Sequence, residues 1–124
     1  MLCGAGARRS SLSSQLALRG ATATLASVYV QRFWTAGARL LASELVVEDV
    51  ALDLLWRLRD GRLRADEIKT GMWAAQEPGL VRAQVQGQVD ACSGALGPAF
   101  VGVRAVMLRF PQRSFFIAAK GAGR

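Results

Sequence analysis

Residues 48–69 hold the side chains whose types and spacing could carry out metal-assisted chemistry on a phosphate ester. This stretch reads EDVALDLLWRLRDGRLRADEIK, with an acidic start, an apolar run, an Asp-Gly dipeptide and then Glu67-Ile68-Lys69. Side chains two apart on a β-strand share a face, so we predict that Glu67 and Lys69 point the same way and Ile68 points into the core. A pair of carboxylates can hold Mg²⁺, and a nearby ammonium group can orient or activate the attacking water.

The partner acid for Glu67 is expected on the preceding strand. Asp60-Gly61 between two apolar runs predicts a β-hairpin, and in a simple hairpin centred on this dipeptide Glu67 faces about residue 54. Asp53 is then the closest acid, and Asp49 lies at the entrance of the strand. A bulge or a splayed hairpin would bring Asp49 into the site, because the register is inferred from the turn alone.

An ordinary exposed sheet face with a cross-strand ion pair is the alternative interpretation of the same pattern. Three observations favour a site. The surrounding strands are apolar enough to be core strands, where acids are less expected. A helical pattern precedes the hairpin, and the chain as a whole is basic.

Charge points to a polyanionic partner. The chain of 124 residues has a formal net charge of +7, and seven of its nine acids fall between Glu44 and Glu67. Such a protein is attracted to polyanions, and nucleic acid is the expected partner. Five side chains on the first helix and the hairpin are candidate nucleic-acid contacts, although solubilising the hairpin is the commoner role of such arginines: Gln31, Arg57, Arg59, Arg62 and Arg64.

Composition excludes several other classes of site. The chain has no histidine, which rules out histidine triads, histidine-containing zinc sites and histidine general bases. Its two cysteines, Cys3 and Cys92, form neither a metal-spaced pair nor a disulfide framework, so a reducing cytoplasm is the expected location. No apolar run reaches the roughly 18 residues that a membrane span needs, so no membrane association is expected.

The pattern along the chain predicts an α/β domain. We expect residues 1–20 to form a flexible basic leader, with an organellar transit peptide as the alternative, and residues 21–124 to form a single domain. Apolar periodicity and turn residues predict helices over residues 22–43 and 80–92. They predict strands over residues 45–47, 50–58, 63–70, 100–110 and 114–119.

The segments RGATATLASVYVQRFWTAGARLL and EDVALDLLWRLRDGRLRADEIKTG resemble the PD-(D/E)XK restriction-endonuclease-like superfamily over roughly residues 19–71. They are most similar to nuclease effector domains of bacterial anti-phage defence proteins. The resemblance implies an αβββαβ core and a DNA endonuclease that depends on Mg²⁺ or Mn²⁺. It implies Asp49 and Glu67 as metal ligands, Lys69 as the catalytic lysine and Gln31 near the glutamine of the helix motif.

The sequence also departs from the family pattern. Tyr29-Val30-Gln31 stands where an aromatic-Tyr-Gln run is expected. Ala51 stands where a second Asp is often seen, which leaves Asp53 to substitute, and Glu67 stands where the effector domains often carry Gln. Nothing specific to the family follows Gly71, although a helix and a strand there would complete the core.

Three functions therefore remain open at this point. The first is the metal-dependent endonuclease, and the second is a non-catalytic nucleic-acid-binding module or an inactive, truncated nuclease remnant. The third is a small structural subunit of a larger assembly. Members of the family usually carry sensor or motor domains, so we expect a homo-oligomer, a part of a larger multi-domain system, or a fragment of a longer protein.

Overall fold

The computed structural model describes residues 12, 15–17, 22–72 and 76–121. It confirms the predicted α/β class. The regular elements, in chain order, are helix α1 (Ala23–Arg32), strands β1 (Arg39–Val47), β2 (Val50–Arg57) and β3 (Leu63–Lys69), helix α2 (Pro78–Leu96), and strands β4 (Phe100–Met107) and β5 (Phe115–Ala118). Short 3₁₀ turns at Gly97–Ala99 and Pro111–Arg113 flank β4.

The five strands form one mixed sheet in the order β1-β2-β3-β4-β5. Neighbouring strands are antiparallel except for β3 and β4, which run parallel and are connected through α2. A parallel pair needs a long crossover connection, and here a 19-residue helix supplies it. The carboxyl ends of β3 and β4 therefore lie side by side at one edge of the sheet.

Each helix covers a different face of the sheet. Val81, Val85 and Val89 of α2 pack in one core cluster with Ala65 of β3 and Val103 of β4. On the other face, Leu25 and Tyr29 of α1 pack in a second cluster with Leu54, Trp56, Ile68 and Val106. Alternate residues of the central strands thus enter different clusters, as the two-residue period of a strand requires. Both faces of the sheet are buried.

Helix α1 is shorter than the helix predicted over residues 22–43, and that prediction is wrong beyond Arg32. Thr22 caps its start by accepting a hydrogen bond from the Leu25 backbone at 3.3 Å. After the helix, Gly37 adopts a left-handed conformation with φ of +81°. This turns the chain into β1, which pairs with β2 from Arg39 onward. The helical spacing of Leu40 was coincidental, because strand pairing places it in the sheet.

The hairpin between β2 and β3 forms as predicted, but its register is one residue away from the predicted one. Leu54 pairs with Asp66, where a loop centred on the Asp60-Gly61 bond would have paired it with Glu67. The Leu58 amide donates to the Arg62 carbonyl at 2.7 Å, which encloses a three-residue loop with Gly61 at φ +90°. Three-residue hairpin loops commonly end in such a left-handed residue.

The segment before α1 contributes to the core where it is described. Leu12 and Leu16 are fully buried in the cluster that contains α1. They are four residues apart, the spacing that aligns two side chains on one helix face. Most of the predicted leader, residues 1–20, lies outside the described residues. Among the helices of the described part of the chain, none is long and apolar enough to cross a membrane.

Candidate functional site

The backbone of the sheet opens between β2 and β3 where the acidic residues lie. Regular pairing between these strands ends at Leu54 and Asp66, and one further step in this register brings Asp53 opposite Glu67. The Asp53 carboxylate accepts a hydrogen bond from the Ile68 amide at 2.6 Å, in place of a backbone carbonyl. The Asp53 carboxylate thus replaces one backbone acceptor of β2 in the hydrogen bonding between β2 and β3.

Strand β2 is itself irregular at this level. Leu52 packs in the α2 cluster and Leu54 in the α1 cluster, although residues two apart on a regular strand share a face. On the neighbouring strand β1, Glu44 has φ of +53°, a conformation that side-chain-bearing residues rarely adopt. Irregular strands re-aim side chains, and here the irregularity accompanies the approach of Asp53 to Glu67.

Glu67 is buried and is held by three polar side chains. Lys69 forms an ion pair with its Oε2 at 2.9 Å, as expected for neighbours two apart on one strand face. Gln84 donates to the same oxygen at 3.1 Å, and Gln88 donates to Oε1 at 2.8 Å. The Lys69 ammonium also donates to the Gln84 carbonyl oxygen at 2.6 Å. The acid and the lysine are therefore fixed relative to each other.

Gln84 and Gln88 of α2 were not among the residues identified from the sequence. They are four residues apart, so they project from one side of the helix toward the strand. Gln88 is 2% exposed and also donates to the Ala51 carbonyl at 2.9 Å. The sequence does contain one indication of this role, because Gln88 is a polar residue within the apolar stripe of the helix that includes Val81, Val85 and Val89.

The environment of Glu67 makes its ionised form costly. Burial is the main cause of a raised pKa for Glu67, and the negative charge of Asp53 raises it further. Hydrogen bonds from Gln88 and the Lys69 ammonium act in the opposite direction but do not cancel the shift. A buried carboxylate whose pKa is raised by burial and by a neighbouring carboxylate is typical of a site that gains from a bound cation.

Replacing Glu67 should stabilise the fold at neutral pH. Because the folded-state pKa of Glu67 is raised, its contribution to stability is fully present below its unfolded-state pKa and is lost as the pH rises through the folded-state value. Glu67→Gln removes the ionisable group, so the variant does not lose stability as the pH rises. We expect its free energy of unfolding near pH 7 to exceed that of the parent by on the order of 1 kcal/mol, or a few degrees in Tm. Thermal unfolding of both proteins between pH 4 and pH 8 measures it.

The diagnostic feature is the pH dependence of the difference in Tm between variant and parent. It should grow as the pH rises from 4 to 7. Glu77→Gln is the control, because Glu77 is exposed and makes no side-chain cap hydrogen bond at the start of α2. A Glu67→Gln protein that is less stable than the parent throughout this range would contradict the assignment of a costly buried charge.

Asp49 lies apart from this cluster. It forms, with Glu48, the two-residue turn between β1 and β2, where both residues have positive φ and are exposed. The Glu48 carboxylate lies 4.0 Å from the position that a Cβ would take at Gly94. Burial is the main cause of the raised pKa of Cys92, and the negative charge of Glu48 raises it further. The turn therefore lies beside the later part of α2, whereas Glu67 contacts the helix at Gln84 and Gln88.

The candidate phosphate-binding residues are spread over different environments. Arg57 and Arg59 are exposed, and exposed Arg62 pairs with Asp60 at 2.7 Å within the hairpin loop. Arg64 is buried and donates to Thr35 at 2.9 Å and to Asp66 at 3.2 Å. Its guanidinium group therefore does not belong to an exposed phosphate-binding surface. Gln31 is exposed on α1, which covers the face of the sheet opposite α2.

A second polar cluster lies on the α1 face and centres on Asp66, which is completely buried. Arg104 of β4 binds its carboxylate through two hydrogen bonds, at 2.8 Å and 3.1 Å. Arg64 donates to it at 3.2 Å, Trp56 donates through its indole at 3.2 Å, and the Tyr29 hydroxyl donates as well. The carboxylate thus links β3 to β2, to β4 and to α1.

The pKa shifts of its partners agree with this arrangement. Burial raises the pKa of the Tyr29 hydroxyl well above its ordinary value, and the Asp66 charge adds to the shift. Burial alone would lower the pKa of Arg104, but the Asp66 carboxylate outweighs it and the net shift is upward. Asp66 was not identified from the sequence as a site residue, and its full burial makes it an organiser of the fold.

Asp53 and Glu67 could hold a divalent cation. Among the described residues, no group of three or more His, Cys, Asp and Glu side chains is arranged for a metal. Mg²⁺, however, is commonly bound by one or two carboxylates, with water and substrate phosphate completing its shell. The Gln88 carbonyl oxygen is buried without a hydrogen-bond partner beside Glu67, and amide oxygens are suitable ligands for such a cation. The donor set therefore fits Mg²⁺ or Mn²⁺ shared with a phosphate.

Comparison with protein-family models, with curated proteins and with solved structures finds no match to this chain.

Proposed function

We propose that this domain is a Mg²⁺- or Mn²⁺-dependent DNA endonuclease with a restriction-endonuclease-like core, acting as an effector of a defence system. The observation that carries the proposal is the convergence of Asp53, Glu67 and Lys69 where β2 and β3 separate. The order of helix, three strands, helix and strand supports the resemblance of residues 19–71 to that superfamily. A net charge of +7 supports a polyanionic substrate.

Each residue of the site has a defined role in this proposal. Asp53 and Glu67 bind the cation, and Asp53 replaces Asp49 as the first acid because Asp49 lies in the exposed β1–β2 turn. The bound cation would polarise the scissile phosphate and lower the pKa of its water. Lys69 orients the attacking water and stabilises negative charge on the phosphate. Gln84 holds both Lys69 and Glu67 in position.

An inactive remnant that still binds nucleic acid is the second candidate. The observation in its favour is that both Glu67 oxygens already accept hydrogen bonds from the protein, and one of them also pairs with Lys69. In such a remnant, Lys69 would neutralise Glu67 permanently in place of a cation. Replacement of a lost metal by an internal ion pair would preserve the fold without catalysis.

Metal dependence distinguishes the two candidates. We expect the parent protein to nick supercoiled plasmid in Mg²⁺ or Mn²⁺ and not in EDTA, and Asp53→Asn to lower the rate by at least roughly 100-fold. Mn²⁺ should also raise the Tm of the parent, because a ligand that binds only the folded state stabilises it. The same increase should be absent in Asp53→Asn.

Asp90→Asn is the matched control, since Asp90 is exposed on α2 and accepts a hydrogen bond from Gln86 of the same helix. It should retain both nicking and stabilisation by Mn²⁺. A parent protein that neither nicks DNA nor gains stability from Mn²⁺ would reject the endonuclease. DNA binding by that protein would then support the remnant.

A further inference from the structure

A cavity of about 420 Å³ lies beside the proposed catalytic site, between the start of α2 and the segment that connects β4 to β5. Val81, Met107 and Phe115 provide its apolar surface, and exposed Arg82 and Arg113 provide its charge. Its volume lies within the usual range of roughly 300–1,000 Å³ for small-molecule sites. Glu77, the acid that precedes α2, is exposed and does not line it.

The cavity adjoins the proposed site along helix α2 and across the sheet from β3 to β4. Val81 precedes Gln84 by one helical turn, or about 5 Å along the axis. Met107 of β4 pairs with Lys69 of β3, and adjacent strands lie about 4.8 Å apart. A chain of nucleotides with one phosphate at Glu67 and Lys69 would therefore place a neighbouring nucleotide at the cavity.

The charge around this end of the sheet favours an anionic occupant. Arg82 and Arg113 line the cavity, and Arg109, which follows β4, donates to the carbonyl of Thr70 just after β3 at 2.5 Å. The start of α2 adds the partial positive charge of a helix N-terminus. An apolar small molecule would not use these groups, whereas a nucleotide uses both the charge and the apolar wall.

We propose that this cavity receives an unpaired base of the substrate strand, next to the phosphate at the Glu67–Lys69 site. The inference rests on the proposed function, and it narrows the substrate class to strands that are single-stranded or opened at the cut. A base within a duplex is stacked on its neighbours and cannot enter a side cavity unless it leaves the stack.

The geometry of Arg82 suits a stacked base. Its guanidinium group lies over the Phe115 ring, with the carbon 4.2 Å from the ring centroid. The ring thus holds the guanidinium plane in place, and bases stack on both arginine planes and aromatic rings. Met107 and Val81 complete an apolar wall for the edge of the base.

Binding measurements without metal test the cavity separately from catalysis. Fluorescence anisotropy in EDTA compares a 12-nucleotide oligothymidine with a strand of the same length that lacks bases, for the parent, Arg82→Met and Arg57→Met. Stacking of a base is worth roughly 5- to 100-fold in affinity. We expect the parent to prefer the strand with bases by about 10-fold, and Arg82→Met to lose most of this preference.

Arg57→Met is the control because it removes the same charge from an exposed arginine of β2 that does not line the cavity. It should weaken binding to both strands equally and keep the preference. Equal affinity of the parent for the two strands, or the same loss of preference in both variants, would overturn the inference. Retained preference without nicking in Mg²⁺ or Mn²⁺ would reject the endonuclease and leave the cavity assigned as a nucleotide site.

Discussion

Lys69→Ala should lower the rate of DNA cleavage by roughly 10²–10⁴-fold while leaving DNA affinity nearly unchanged. Lys69 is the only lysine in contact with Glu67, and its side chain is largely buried in an ion pair at 2.9 Å. Phosphate binding, in contrast, can be shared among the fourteen arginines of the chain. Single-turnover plasmid nicking and anisotropy in Ca²⁺ measure the two effects separately.

A pH profile adds a readout that loss of folding would not produce. Lys69 lowers the pKa of Glu67, so its removal should raise that pKa further and move residual activity toward higher pH. The control is Lys120→Ala, since Lys120 is the only other lysine in the sequence and is exposed after β5. Cleavage by Lys69→Ala at the parental rate would refute a catalytic role for this lysine.

Asp66→Ala should lower the free energy of unfolding by about 3–5 kcal/mol, because it leaves the buried guanidinium group of Arg64 and the partly buried one of Arg104 without their counter-charge. That loss is a large fraction of the roughly 5–15 kcal/mol by which a domain is stable. It corresponds to a decrease in Tm of roughly 10–20 °C for a chain of this size. Urea and thermal unfolding measure it.

Asp90→Ala removes the same charge and is the matched control. Asp90 is exposed and accepts a hydrogen bond from Gln86 on the same helix, so its loss should leave Tm close to that of the parent. The double variant Asp66→Ala/Arg104→Met should recover part of the loss, because one uncompensated charge is removed. An Asp66→Ala protein within about 1 kcal/mol of the parent would contradict the organising role of this carboxylate.

Asp66 also affects the proposed site through the strand that it shares with Glu67. The two residues are adjacent in β3, and their side chains point to opposite faces of the sheet. By binding Arg104 of β4 and Tyr29 of α1, Asp66 fixes the position of β3 between its neighbours. The loss of activity in Asp66 variants should therefore follow their loss of folded protein, in contrast to Lys69→Ala.

The α/β class and the β2–β3 hairpin could be predicted from the sequence because they depend on local rules. Turn chemistry located the hairpin at Asp60-Gly61, and the two-residue period of a strand predicted Glu67 and Lys69 on one face with Ile68 in the core. These relations involve residues that are close in sequence. They hold whatever packs against the strand.

The register, the choice of acid and the second polar cluster were decided by tertiary structure. A three-residue loop moved the pairing by one residue and put Asp53 directly opposite Glu67. Asp49, which the family resemblance implied as the first acid, lies instead in the turn between β1 and β2. The run Arg64-Ala-Asp66-Glu67 contains charges on both faces of β3, which locally resembles a solvated strand. Asp66 became a buried anion because α1 and Arg104 close over it.

The partners of Glu67 show the same division between local and tertiary information. Gln84 and Gln88 lie 17 and 21 residues after it, and only the return of α2 across the sheet brings them to its carboxylate. The sequence by itself determined the β2–β3 hairpin, helix α2 and which side chains share a strand face, because those depend on backbone geometry over a few residues. Pairing with β2 decided that residues 39–43 belong to β1 and not to α1. The tertiary structure alone decided which charges are buried together, because burial depends on what long-range packing places over each face of the sheet.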